Sequence, residues 1–111
     1  MSTSAIEKNF KEAQQLLEMF INDPKSLPAI EDAGKLLVQA LKKEHKIISC
    51  GNGGSMCDAM HFAEELSGRF RDDRRPFAAV AISDASHISC VANDYGYEKI
   101  FSRYVQGLGN K

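Results

Sequence analysis

The chain has 111 residues, so it is long enough to bury a hydrophobic core but short for a complete doubly wound sheet. Fourteen basic and fifteen acidic side chains give a net charge of −1, which excludes a sequence-wide field for nucleic acid or an anionic membrane. No apolar run reaches membrane-spanning length, and charged residues between Glu7 and Glu12 interrupt any signal-peptide pattern. We therefore expect a small-molecule ligand, with no nucleic-acid and no membrane partner.

The cysteine pattern indicates reduced thiols. Cys50, Cys57 and Cys90 are odd in number and lack the Cys-x-x-Cys spacing that is typical of zinc and redox sites. A cytoplasmic location fits this pattern best.

The first 44 residues are predicted to form two helices. From Ser4 to Ile21 apolar residues recur every three or four positions, which predicts an amphipathic helix that ends near Asp23-Pro24. The second helix is predicted to begin about Leu27-Pro28, where proline suits the first turn, and to end at Lys42-Lys43.

Residues 45–111 are predicted to begin a parallel sheet. The expected elements are a strand at Ile47–Cys50, a helix from Ser55 to about Gly68, a loop at Ser67–Pro76, a strand at Phe77–Ile82, a helical turn or two at Ser86–Val91 and a helix at Ile100–Leu108. This order is that of a βαβ unit, so we predict an α/β layered fold with parallel strands. Two strands do not complete a sheet, so the chain is expected to be the N-terminal part of a larger domain.

The segment "IISCGNGGSMCDAMHFAEEL" carries the main functional signal. Its glycines at 51, 53 and 54 separate a strand from a helix, where free backbone amides and the helix dipole can hold an anion. Ser55 is expected to cap that helix, with Asp58 completing a variant capping box. The dinucleotide fingerprint would need a glycine at Met56, and no lysine precedes Ser55 as in a nucleotide-phosphate loop, so neither NAD nor ATP is indicated. A tight turn without a ligand also fits these glycines.

Several polar residues near this segment have both a functional and a structural interpretation. His61 and Glu65 lie four apart on one helix face, so they could bind one metal ion or substrate, or form only a surface pair. The arginines of the following loop could guide an anion, but a solvated loop explains them as well. His87 is interpreted as a packed or exposed helix residue, and Asn93-Asp94 as a turn.

Two stretches together resemble a known family. "SCGNGGSMCDAMHFAEELSGRF" and "AISDASHISCVANDYGYEKIFSRYV" are similar to bacterial phosphoheptose isomerases of the sugar-isomerase (SIS) domain superfamily. The resemblance implies a three-layer αβα domain with a flavodoxin- or Rossmann-like parallel sheet and N-terminal helices. Known members convert sedoheptulose 7-phosphate to D-glycero-D-manno-heptose 7-phosphate, the first step towards the heptose of the lipopolysaccharide inner core. They are cytoplasmic homotetramers whose active sites lie at subunit interfaces and bind zinc.

The resemblance also assigns roles to residues of this chain. His61 and Glu65 match two zinc ligands, with Glu65 also placed to transfer a proton, and Arg69 matches a residue near the pocket. The residues expected to contact the sugar phosphate are Asn52, Gly53, Gly54, Ser55, Glu65, Arg69, Asn93 and Asp94. In the family a Ser/Thr-rich phosphate loop and the remaining zinc ligands, a glutamine and a histidine, follow the position of Lys111. We therefore expect residues 1–111 alone to lack isomerase activity.

The resemblance leaves a second class of function open. A non-catalytic SIS protein that senses a sugar phosphate or binds the replication initiator would keep the fold and the glycine loop. The presence of both His61 and Glu65 favours the enzyme, because a binding module does not need this pair. A purely structural role for the glycines and the pair ranks last.

Overall fold

A computed structural model describes residues 2–110 of the chain. These residues form five α-helices and two β-strands: α1 (Thr3–Asn22), α2 (Ser26–Lys42), β1 (Ile47–Ser49), α3 (Gly54–Ser67), β2 (Ala79–Ala81), α4 (Ala85–Tyr95) and α5 (Ile100–Leu108), with a 3₁₀ turn at Tyr97–Lys99. They divide into two compact units, and the boundary lies within α2, between Leu36 and Leu37.

In the first unit, α1 is a helix with capped ends and an exposed apolar face. The Ser2 hydroxyl accepts a hydrogen bond from the Ala5 amide at 3.4 Å, and the Asp23 amide donates to the Met19 carbonyl at 3.0 Å. No residue of α1 is buried. Its large apolar side chains, Phe10 at 74% exposure among them, therefore stand in solvent instead of packing into a core.

The start of α2 is set by Asp23. Its carboxylate accepts hydrogen bonds from the Ser26 hydroxyl at 2.6 Å and from the Lys25 amide at 3.2 Å. These bonds, the hydroxyl bond first, hold the pKa of Asp23 below its usual value because they favour the charged form. Pro28 sits in the first turn, where its missing amide costs no intrahelical bond.

The sheet of the second unit is a parallel pair of short strands. Ile47 pairs with Ala79, and Ser49 pairs with Ala81. Two further backbone bonds extend the pairing, from the Ile47 amide to the Ala78 carbonyl at 2.8 Å and from the Ile82 amide to the Ser49 carbonyl at 2.9 Å. The predicted parallel βαβ arrangement is therefore confirmed. Both strands are shorter than predicted, and residues 2–110 contain no third strand.

Helix α3 packs closely on this sheet. Ala59 and Ala63 are its buried residues, and their small side chains allow the helix backbone to approach the strands. The Ser49 hydroxyl donates to the Ala59 carbonyl at 2.7 Å, so β1 and α3 are also joined by a hydrogen bond. This contact fixes the helix that carries His61 and Glu65 against the strand that precedes the glycine loop.

Helix α4 is longer than predicted. Asp84 caps it by accepting a hydrogen bond from the His87 amide at 2.7 Å, and Gly96 ends it with a φ of +100°. The interpretation of Asn93 and Asp94 as a turn is wrong: both residues belong to the last turn of α4.

Ile82 and Ile100 are the most deeply buried large side chains, at 0% and 1% exposure. They follow β2 and begin α5, so the core lies where the sheet meets the C-terminal helices. His87 supports this junction, because its Nε2 lies 2.9 Å from the Ile100 carbonyl oxygen and its ring packs edge-on against Tyr104. The interpretation of His87 as a packed helix residue is confirmed. The helices of residues 2–110 all lack the combination of length and apolar character that a bilayer crossing requires.

Candidate active site on helix α3 and the glycine loop

The glycine loop packs closely against the first turn of α3. A Cβ on Gly51 would lie 2.5 Å from the carbonyl carbon and oxygen of Ser55, so only glycine fits there. Gly53 has φ +55° and ψ −120°, a conformation that L side chains rarely adopt. Gly53 is also the N-cap of α3, and Ser55 lies inside the first turn. The predicted cap by Ser55 and its capping box with Asp58 are therefore wrong.

The loop uses several of its own amides. The Ser55 amide donates to the Asn52 carbonyl at 3.0 Å, and the amides of Met56 and Cys57 donate to the Gly53 carbonyl at 3.0 and 3.2 Å. Within residues 2–110 the amides of Gly53 and Gly54 make no such bond, so they and the positive end of the helix are available to an anion.

His61 and Glu65 meet as their spacing predicts. His61 Nε2 lies 3.0 Å from Glu65 Oε1; the His61 side chain is 73% exposed and the Glu65 side chain 32%. Glu64 completes a cluster in which one ligand atom from each of the three residues lies within 4.8 Å of the others. Sequence reasoning did not select Glu64, whose only signal is its position three residues after His61.

The chemistry of these donors fits a zinc ion. Zinc binds histidine nitrogen and carboxylate oxygen at about 2.0–2.2 Å, so tetrahedral ligand atoms lie roughly 3.3 Å apart. The separation of 3.0 Å between His61 Nε2 and Glu65 Oε1 needs to widen by only a few tenths of an ångström. The pair thus fits two ligand positions of a zinc ion, and a complete site requires others.

A groove of about 570 Å³ opens beside this pair. Its wall includes the aromatic rings of Phe62, Phe70 and Phe77, and its polar lining includes His61 and Glu65. An apolar wall beside a few polar groups is typical of small-molecule sites.

Arg74 binds the end of α3. Its guanidinium donates to the carbonyls of Glu65 at 2.5 Å and of Leu66 at 3.0 Å, with a longer bond to the Gly68 carbonyl at 3.4 Å. It also lies over the ring of Phe77, 4.4 Å from the centroid. A cation at a helix C-terminus stabilises the unpaired carbonyls there. Sequence reasoning placed Arg74 among the loop arginines that could guide an anion, but it did not predict these bonds to the end of α3.

Arg69 is the loop arginine that the family resemblance places near the pocket. It lies exposed in the loop that follows α3. The contacts with the end of the helix come instead from Arg74.

Asn93 and Asp94 form a hydrogen-bonded group with Cys90 on α4. The Asn93 amide donates to Asp94 Oδ1 at 3.0 Å, and the Cys90 thiol donates to Asp94 Oδ2 at 3.4 Å. Both oxygens of Asp94 thus accept a bond from a neighbouring side chain. The hydrogen bond and the negative charge of Asp94 raise the pKa of the Cys90 thiol.

One side-chain contact joins the glycine loop to the segment after α4. The Tyr97 hydroxyl donates to Asn52 Oδ1 at 2.5 Å, across 45 positions of sequence. The structure thus ties Asn52 to the segment that directly follows Asn93 and Asp94. Tyr97 was also not selected from the sequence, where no pattern marks it.

We expect Gly51→Ala to lower the free energy of unfolding by about 1–3 kcal/mol, because the new Cβ meets the backbone of Ser55. Gly54→Ala is the matched control, since a Cβ there meets nothing within 4 Å, and we expect it to change stability by less than about 0.5 kcal/mol. Urea denaturation measures both values. Equal losses of stability in the two variants would contradict the close contact between Gly51 and the backbone of Ser55.

We expect Asp94→Asn to make Cys90 react faster with iodoacetamide near neutral pH. The carboxylate raises the pKa of the thiol, and only the thiolate is the nucleophile, so removal of the charge increases the thiolate fraction. The difference should vanish at strongly alkaline pH, where the thiol is fully ionised in both proteins. Peptide mass spectrometry follows the alkylation, with the exposed Cys50 as internal control. An unchanged Cys90 rate would contradict the contact.

Comparison with known proteins agrees with the family resemblance. The chain is 53% identical over 111 residues to the phosphoheptose isomerase of Sodalis glossinidius (strain morsitans), covering 100% of this chain and 57% of that protein. It is 58% identical over 101 residues to the phosphoheptose isomerase of Glaesserella parasuis serovar 5, covering 91% of this chain and 53% of that protein. The chain thus spans about half the length of the curated relatives that it matches.

Solved structures and a family model agree on the fold. A phosphoheptose isomerase from Francisella tularensis superimposes with a TM-score of 0.89 at 35% identity, covering 100% of this chain and 58% of that chain. A phosphoheptose isomerase from Neisseria gonorrhoeae gives a TM-score of 0.82 at 34% identity, covering 96% of this chain and 55% of that chain. These neighbours confirm the predicted α/β fold class with its parallel sheet. The model of the SIS domain matches residues 8–110, and the chain therefore belongs to the SIS domain family.

Proposed function

We propose that this chain supplies part of the active site of an aldose-ketose isomerase that interconverts sedoheptulose 7-phosphate and D-glycero-D-manno-heptose 7-phosphate. The observation that carries the proposal is the His61–Glu65 pair, 3.0 Å apart beside an aromatic-walled groove. The relatives named phosphoheptose isomerase support the substrate class. A protein that only bound a sugar phosphate would not need a carboxylate beside a histidine.

The proposed reaction moves a carbonyl between C1 and C2 of the sugar. A base takes a proton from the carbon beside the carbonyl, and the proton returns to the neighbouring carbon through a cis-enediol. Glu65 is the proposed base. Its side chain is about one-third exposed, so substrate can reach its oxygens, and Oε1 lies 3.0 Å from His61 Nε2 on the same helix face. Proton transfer between a carboxylate and carbon requires such a defined position.

We propose that His61 and Glu65 bind one zinc ion per site, with the remaining ligands from residues outside this chain segment. A bound zinc ion would stabilise negative charge on the enediolate oxygens. Glu64 is not one of the proposed ligands, although one of its carboxylate oxygens lies within 4.8 Å of the ligand atoms of His61 and Glu65.

The sugar phosphate is proposed to contact the loop residues Asn52, Gly53, Gly54 and Ser55, together with Arg69, Asn93 and Asp94. All seven are exposed. Their amide, hydroxyl and carboxylate groups suit the hydroxyls of a heptose chain. The loop uses three first-turn amides internally, which supports hydroxyl recognition here and phosphate binding by a separate loop.

We expect purified protein of the same length as the curated relatives to convert sedoheptulose 7-phosphate. This activity should be lost in EDTA and restored by zinc. Mass spectrometry of the intact protein gives the length of the chain that is assayed. Residues 1–111 alone are expected to give no turnover, because the second half of the proposed site is missing. Absence of turnover by the longer protein would refute the isomerase and favour a non-catalytic SIS protein.

Two neighbouring variants test the metal ligands in that protein. Glu65→Gln should weaken zinc binding by at least about tenfold, because it removes a charged ligand. Glu64→Gln is the matched control on the same turn and should change the zinc affinity by less than about twofold, because Glu64 makes no proposed contact with the metal. Isothermal titration with zinc gives both values without reference to activity. An unchanged zinc affinity in Glu65→Gln would contradict the assignment of Glu65, and an equal loss in Glu64→Gln would add Glu64 to the ligands.

We also propose a cytoplasmic homotetramer with active sites at subunit interfaces, acting at the first step towards the heptose of the lipopolysaccharide inner core. Exposed apolar side chains on α1 support the assembly: Ile6 at 43%, Phe10 at 74%, Leu17 at 59% and Phe20 at 43%. Such faces usually pack against a partner. Three exposed free cysteines support a reducing compartment.

Light scattering after size-exclusion chromatography tests the assembly. For the unmodified protein we expect a molar mass four times that of one subunit. Phe10→Ser should lower the molar mass, because it removes an apolar contact. Lys8→Ser, on the charged side of α1, is the control and should leave the mass unchanged. A monomeric mass for the unmodified protein would contradict the tetramer.

A further inference from the structure

We propose that Tyr97 is a positioning residue, which sets the orientation of the Asn52 side-chain amide in the sugar-phosphate site. The inference rests on the proposed function, because it concerns how that site recognises its substrate. Tyr97 itself makes no proposed contact with the substrate. It acts through Asn52.

The contact between these two side chains is direct and long-range. The Tyr97 hydroxyl donates to Asn52 Oδ1 at 2.5 Å, and the two residues are 45 positions apart. Asn52 lies between β1 and α3, where its own carbonyl accepts the Ser55 amide at 3.0 Å. The backbone of Asn52 is thus held by the turn, while its side chain is held by Tyr97.

This bond decides which groups of the amide face a ligand. An asparagine side chain can rotate so that either its oxygen or its NH₂ group is presented. Because Oδ1 accepts the Tyr97 hydroxyl, the two N–H donors of Asn52 point away from Tyr97. Asn52 therefore presents donors, which suit the oxygen atoms of a sugar or of its phosphate.

The backbone around Tyr97 is built to hold this position. Gly96 has φ +100°, and a Cβ there would lie 2.6 Å from a carboxylate oxygen of Glu98. The Lys99 amide donates to the Gly96 carbonyl at 3.1 Å, which closes the 3₁₀ turn that begins at Tyr97. The turn joins α4 to α5, and Ile100 at its end is 1% exposed. Tyr97 thus extends from a segment anchored in the core.

Calorimetric titration tests the inference. Sedoheptulose 7-phosphate is titrated into protein of the same length as the curated relatives. Tyr97→Phe removes only the hydroxyl, and we expect affinity to fall about two- to tenfold, the range for one hydrogen bond. KM should rise by the same factor with kcat nearly unchanged, because the bond aids ground state and transition state alike. Tyr104→Phe, which keeps the ring against His87, is the control and should leave affinity unchanged.

A double-mutant cycle with Asn52→Ala separates positioning from a general structural role. Tyr97→Phe should have no further effect on affinity once Asn52 is alanine, because the two act as one unit. An equal loss in both backgrounds, or no loss in the unmodified background, would overturn the inference while the proposed function stands. If the unmodified protein does not bind the sugar phosphate at all, both are overturned.

Discussion

Parallel pairing of β1 with β2 is the constraint on which the rest of the site depends. In a parallel pair both strands end at the same edge, so the chain leaving Ser49 and the chain leaving Ala81 begin side by side. The first becomes the glycine loop and α3, and the second becomes α4 and the turn at Tyr97. An antiparallel pair would place these segments at opposite ends, and Tyr97 could not reach Asn52.

The sequence predicted elements whose signals are local. The recurrence of apolar residues defines α1, α2 and α5 to within one or two residues, because residues on one face of a helix recur with that period. The length of α4 was missed because it depends on the cap at Asp84 and the stop at Gly96, which lie outside the apolar pattern. The cap of α3 was misassigned because serine is the commoner capping residue. Here the positive φ of Gly53 decides where the helix begins.

The site was predictable where one helix fixes the geometry. Residues four apart on a helix face must be neighbours, so the meeting of His61 and Glu65 follows from their spacing. Arg74 and Tyr97 carry no such signal. The contacts of Arg74 span eight and nine positions and the contact of Tyr97 spans 45, and they form only once the strands have paired. The resemblance to phosphoheptose isomerases named the residues that contact substrate in that family, and side-chain geometry adds the neighbours that hold them.

The bonds from Arg74 have a mechanical consequence. The chain between α3 and β2 is largely exposed, and a segment of this kind usually moves independently of the helix before it. Here the Arg74 guanidinium, which belongs to the segment, donates hydrogen bonds to the carbonyls of Glu65 and Leu66. The segment is therefore bound to the last turn of α3. A displacement of the segment would therefore act on the backbone of Glu65 through Arg74. The backbone that carries the proposed proton-transferring carboxylate is thus held by Arg74, which is not among the residues proposed to contact the sugar.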